Sequence, residues 1–234
     1  MIGQLGIIIL SFADTMMVGR CGTAELGAAS FVNNMFNLVI VFSTGFSYGL
    51  TPFVGNHYGR GENASVGRIL KNALAVNAVV AAGLMALMFV LYLNIHRLGQ
   101  PAELLPLMRP YYIVLLISLL FVLLFNAFKQ FADGITDTVT PMVILLGGNV
   151  MNILLNWVLI YGNWGMPRMG LLGAGVATLT ARILMLLCFV IVFFTAKRYR
   201  PFVRGFKESS VNKEDFVALN KMGMPVGLQM GMET

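Results

Sequence analysis

The stretch PMVILLGGNVMNILLNWVLIY, residues 141–161, decides the fold. It is a run of 21 residues without a single charge, and about 20 apolar residues are what a helix needs to cross the hydrocarbon of a bilayer. The run is continuous, not alternating, so it reads as a helix and not as a barrel strand. Inside it stand Asn149, Asn152 and Asn156. Spacings of three and four put these amides on one helix face. An amide face within an apolar span either ties neighbouring helices together or lines an internal cavity.

The same pattern recurs along the chain. Hydrophobic residues make up 58% of the 234 positions and charged residues 11%, with a mean hydropathy of +0.80. Soluble domains carry roughly 25% charged residues, so this chain lacks the polarity for an ordinary water-facing surface. Six complete spans are expected, at about 1–19, 26–54, 69–95, 110–131, 141–161 and 171–195, with a seventh opening near Met222. The fold class is all-α, a polytopic helical membrane protein. The breakers between spans are Gly59 with Gly61, Pro101 with Pro106, Gly134 before Pro141, and Gly165 with Pro167.

The net charge of +6 belongs to orientation in the membrane, and no nucleic-acid partner is expected. Arg60, Arg68, Lys71, Lys129, Lys197, Arg198, Arg200, Arg204, Lys207, Lys213 and Lys221 follow spans two, four and six. The alternate loops hold Arg20, Arg97, Arg109 and Arg168. Eleven against four places the first group, and the N-terminus, in the cytoplasm of a multi-pass plasma (inner) membrane protein. Cys21 and Cys188 are not expected to pair. His57 and His96 sit at span ends, and no metal-ligand spacing is visible. The first run lacks the basic n-region and cleavage pattern of a removed signal peptide.

The first run starts at Met1 without a lead, and the seventh stops at Thr234 after 13 residues. Both features predict a fragment of a longer chain. The expected organisation is a six-helix N-terminal lobe over 1–195, a cytoplasmic linker over 196–215, and the truncated start of a second lobe over 216–234.

Ionisable residues within spans cost about 3 kcal/mol each even on the mildest scale, so each calls for a partner or a purpose. Asp14 lies near the outer end of span one, and Asn156 lies about as far from the outer end of span five. Acid and amides can therefore meet at one depth. Asn33 and Asn37 on span two are four apart in its outer half. A carboxylate ringed by amide oxygens suits a proton or a small hard cation such as Na⁺; an interfacial Asp14 beside helix-tying amides is the plainer reading. Arg182, halfway along span six, is expected to be structural. Glu233, after Pro225, is either an end effect or a second ionisable group matching Asp14.

Several motifs together resemble the multidrug and toxic compound extrusion (MATE) transporters. They are Phe12–Gly19 (FADTMMVG), Asp133–Met142 (DGITDTVTPM), Asn152–Trp157 (NILLNW), Gly170–Thr178 (GLLGAGVAT) and Gly223–Gly227 (GMPVG). The resemblance implies twelve helices in two lobes and an antiporter, monomeric when full-length. Inward Na⁺ or H⁺ flow would export bulky, often cationic, amphipathic drugs. It places Asp14, Asn152 and Asn156 in the cation-coupling site, with Na⁺ at Asp14 the one metal considered. Glu233, with Asn33 and Asn37, is assigned to the central substrate cavity. Some family members carry Asp where this chain has Asn156, which leaves Asp14 as the candidate acid of this lobe.

Neither an enzyme nor a cofactor is expected, since no nucleophile–base pair lies inside the spans. Two alternatives stand beside the antiporter. A lipid-linked sugar flippase would call for several mid-span bases, and Arg182 stands alone. A seven-helix receptor or sensor would place its N-terminus outside.

Overall fold

A computed structural model describes residues 14–97, 99 and 101–232, and its regular elements are helices. They are α1 (described over 14–19), α2 (Thr23–Tyr48), α3 (Leu50–Gly59), α4 (Asn63–Leu93), α5 (Leu105–Gly134), α6 (Val139–Tyr161), α7 (Gly170–Thr195), α8 (Arg200–Glu208) and α9 (Lys213–Met232). The all-α membrane fold expected from the sequence is the fold observed. At about 1.5 Å of rise per residue, the 23 residues of α6 reach roughly 35 Å, enough to cross a hydrocarbon core of about 30 Å. Among the described residues, five helical stretches are long and apolar enough to cross a membrane, α2 with α3 counting as one. Most of the first expected span, and Glu233, lie outside the described residues.

Local chemistry explains where the boundaries fall. Pro52 has no N–H to give the carbonyl of Tyr48 and its ring crowds that carbonyl, so α2 ends at Tyr48 and α3 restarts at Leu50. The helix α5 opens at Leu105, five residues before the expected Pro110. Pro106 falls in its first turn, where a missing N–H leaves no bond unmade. The polar stretch 196–215 holds a helix of its own. Pro201 stands in the first turn of α8, Phe202 is buried, and Arg204 pairs with Glu208 on the outer side. Glu214 and Asp215 occupy the first turn of α9, where acids complement the helix dipole. That helix therefore begins nine residues before Met222.

The chain divides into two compact units. The first comprises Met1–Asn37, Leu84–Leu119 and Val143–Met185. Its core is tied at fully buried Tyr112, which donates to the Met88 carbonyl at 2.8 Å and packs edge-on against Phe36. At Gly173 the helix α7 runs so close to α6 that an added Cβ would lie 2.7 Å from the Leu159 carbonyl oxygen.

The second unit comprises Leu38–Gly83, Leu120–Met142 and Leu186–Thr234. Its core is aromatic: Phe131 contacts Phe193, Tyr199 and Phe202, and Phe193 extends the cluster to Phe206. This is why α8 folds back instead of running free. The start of α4 is tied to the segment before α9. Arg68 pairs with Asp215 at 2.9 Å, and Asn72 Oδ1 accepts the Asn212 N–H at 2.8 Å.

Candidate functional site

The first unit gathers most of the polar residues singled out in the sequence. Asn152 and Asn156 lie four apart on α6, so their amides share one face, and both are buried. Asn156 Nδ2 donates to Asp14 Oδ1 at 2.5 Å and to Asn152 Oδ1 at 3.1 Å. Asn152 Nδ2 donates in turn to Thr178 Oγ1 on α7 at 3.3 Å. A chain Asp14–Asn156–Asn152–Thr178 thus links three helices. The Tyr161 hydroxyl donates to the Met17 carbonyl at 3.0 Å and holds the end of α1 against α6.

Two groups in this neighbourhood have unused hydrogen-bonding capacity. Asn156 Oδ1 and Asn149 Nδ2 are buried without a hydrogen-bond partner among the described residues. Buried amide atoms are rarely left so, and the cost of each is about 1–3 kcal/mol. An unpaired oxygen on the same side chain that donates to a carboxylate offers an additional ligand where negative charge already collects. Asp14, Asn152, Asn156 and Thr178 together present a carboxylate, two amide oxygens and a hydroxyl. That all-oxygen set suits a hard cation.

The remaining expected residues fall differently. Asn33 is exposed and accepts from the Tyr111 hydroxyl at 2.9 Å. Asn37 is exposed and carries no hydrogen bond among the described residues. Among the described residues, no hydrogen bond joins either side chain to Asp14. Arg182, expected from the sequence to be structural, ties α7 to α5. Its Nη1 donates to buried Ser118 Oγ on α5 at 2.5 Å.

Sequence reasoning passed over Tyr111, Ser118 and Thr178. The signal was there in the spacing: Tyr111 and Ser118 are seven apart on α5, and Thr178 and Arg182 four apart on α7. Each pair therefore lies on one helix face.

Comparison with known proteins agrees with this architecture. The MatE family model matches residues 1–158. A probable multidrug resistance protein NorM of Photorhabdus laumondii is 28% identical over 99% of this chain and 51% of its own length. The multidrug resistance protein NorM of Vibrio cholerae is 27% identical over 96% of this chain and 49% of its own. Among solved structures, an outward-facing multidrug-resistance transporter of the MATE family superposes with a TM-score of 0.84 at 19% identity, over 98% of this chain and 50% of that one. The eukaryotic MATE transporter AtDTX14 gives 0.83 at 16% identity, over 97% and 50%. The chain spans about half the length of the relatives it matches.

Proposed function

The chain belongs to the MatE family, and on that premise we propose that it is part of a membrane exporter of drugs and other amphipathic organic compounds, driven by inward flow of Na⁺ or H⁺. The observation that carries the cation-coupled reading is the Asp14–Asn156–Asn152–Thr178 chain with its unpaired Asn156 oxygen. Without a cation, the Asn156 amide N–H neutralises part of the Asp14 charge. A Na⁺ ion would be held by Asp14 with the Asn156 amide turned over so that its oxygen, not its nitrogen, faces the carboxylate. A proton on Asp14 would likewise reverse the bond, letting the carboxyl donate to that oxygen. Either event rewires the link between α1 and α6, and α1 carries the charge that responds. This is how a small ion can bias a two-state helix arrangement.

Asn33 and Asn37, one turn apart on α2, are assigned to the path of the exported compound, together with Glu233. Transport explains this arrangement without a reacting group, so no catalytic role is assigned. The membrane placement is the inner membrane with the N-terminus cytoplasmic.

The test is efflux by the full-length protein carrying Asp14→Asn, in cells or proteoliposomes with an imposed Na⁺ or pH gradient. Loss of gradient-driven export with retained folding supports the reading. Export that still follows the gradient overturns it.

A further inference from the structure

Five basic residues fall between Lys197 and Lys207, and the coupling reading uses none of them. Arg198 reaches the Asp137 carboxylate, whereas Lys197, Arg200, Arg204 and Lys207 are exposed. On α8, spacings of four and three put Arg200, Arg204 and Lys207 on one face. Phe202 and Phe206 lie on the opposite face, inside the aromatic cluster of the second unit. Glu208, the one acid of α8, pairs with Arg204 at 3.0 Å, so the outer face stays positive.

Packing fixes how this face is presented. The helix α8 meets the start of α4 backbone to backbone: a Cβ added at Gly67 would clash with the Phe202 carbonyl oxygen, and one at Gly205 with the Ala64 carbonyl oxygen. Lys71 of α4 donates to the Ser209 carbonyl just past α8 and so ties down its C-terminal end. The edge of the basic face is located by Lys207, whose ammonium stands 5.7 Å from the centre of the Phe194 ring. Phe194 is exposed on the last turn of α7, where a membrane span turns such a side chain to lipid. An ammonium held over that ring stands where hydrocarbon gives way to headgroups.

We infer that α8 is a fixed helix at the membrane surface whose Arg200, Arg204 and Lys207 face binds the headgroups of anionic phospholipids. The inference needs α7 to cross the membrane and does not depend on the coupling role given to Asp14. Charge complementarity selects the occupant. A guanidinium presents two parallel N–H donors to a phosphodiester, and Lys207 adds a compact point charge beside them. A zwitterionic lipid carries its own cation next to its phosphate, so the same face holds it more weakly. Each Lys or Arg near an anionic surface is worth roughly fivefold in association. Because α8 is already folded against α4, little ordering is left for the lipid to impose. A headgroup bound there braces the start of α4 and the end of α7, since α8 touches both.

The experiment places the full-length protein in phosphatidylcholine nanodiscs doped with spin-labelled phosphatidylglycerol or spin-labelled phosphatidylcholine. The relative association of the two labelled lipids with the protein is read at low and high salt. The wild type should prefer phosphatidylglycerol, and the preference should fall as salt screens the charges. The triple variant Arg200→Gln/Arg204→Gln/Lys207→Gln should lower the preference by roughly fivefold or more, the scale of at least one lost base. A control, Arg97→Gln/Arg109→Gln/Arg168→Gln, removes three exposed charges elsewhere and should keep most of the preference. An equal fall in the control overturns the inference, because net charge alone would then explain it. An unchanged preference in the α8 variant overturns it too. Thermal unfolding tests the other occupant, the remainder of the full-length protein lying over this face. A loss of stability in the α8 variant confined to membranes containing phosphatidylglycerol supports the lipid site, and an equal loss in phosphatidylcholine alone overturns it. If the triple variant does not fold, Lys207→Gln decides: a severalfold fall in preference supports the inference and no fall overturns it.

Discussion

The Tyr199 hydroxyl donates to Asp137 Oδ2 at 2.7 Å, and this buried bond pins the connection between α5 and α6 to the turn that leads into α8. Thr140 adds its hydroxyl and backbone N–H to the same carboxylate, and Arg198 approaches it at 3.7 Å. Arg198 also donates to the Thr136 carbonyl, where the backbone takes a left-handed turn at φ 62°. One aspartate therefore organises a whole corner of the second unit. Tyr199→Phe should cost about 1–3 kcal/mol, the value of a buried bond to a charged acceptor. Thermal unfolding of the purified full-length protein would show it as a lowered midpoint.

The same corner should respond to acid. Burial pushes the Asp137 carboxyl up, but hydrogen bonds from Tyr199 and Thr140 and the Arg198 guanidinium outweigh it, holding the group below its ordinary 3.8. A carboxylate held low in the fold adds stability above its ordinary value, and that stability is lost as pH falls through the lower folded value. Burial, and then the bond to Asp137, push the Tyr199 phenol above its ordinary value, so it remains a donor throughout the neutral range. Asp137→Asn should therefore be less stable than the wild type at pH 7, with the gap closing in strongly acidic buffer. A gap that stays constant with pH would remove the charge from the explanation.

Glycine positions separate close packing from helix propensity. A Cβ added at Gly49 would lie 3.0 Å from the Gly223 nitrogen, and one at Gly223 would lie 2.6 Å from the Phe46 carbonyl oxygen. Gly45 and Gly227 repeat the approach one turn away. The small-xxx-small spacing occurs on both partners, which is the sequence form of close helix contact in membranes. Gly223→Ala should cost about 1–3 kcal/mol, because a backbone oxygen cannot step aside. Gly83, inside α4, would meet nothing within 4 Å. Gly83→Ala should instead stabilise by about 0.5–1 kcal/mol through helix propensity. Opposite signs in one melting series are the expected result.

The spans were legible because an apolar run of bilayer length admits few other structures. The meeting of Asp14 with Asn156 was legible too, through the amide spacing on α6 and the matching depths. The partner of Arg182 was not, because Ser118 comes from α5, and a single helix face says nothing about which neighbour it meets. The helix α8 was hidden for another reason. Its composition is polar, and only the aromatic cluster around Phe131 makes it worth folding Phe202 and Phe206 inward.

The coupling chain makes its own prediction at Asn156. This side chain donates to two acceptors at once, Asp14 Oδ1 and Asn152 Oδ1. Asn156→Ala removes both bonds, from the half-buried Asp14 carboxylate and from the buried Asn152 amide oxygen, which should cost about 1–3 kcal/mol. Thr178→Val removes only the 3.3 Å bond at the far end of the chain, so its cost should fall nearer 0.5–1.5 kcal/mol. Cation dependence distinguishes a site from simple helix glue. If Asn156 supplies an oxygen to the cation, Asn156→Ala should lose the stabilisation that added Na⁺, or protonation, gives the wild type. If it only ties α6 to α1, the variant should melt earlier by the same margin with and without cation. Thermal midpoints of the two variants and the wild type, measured across Na⁺ concentration and pH, decide between these outcomes.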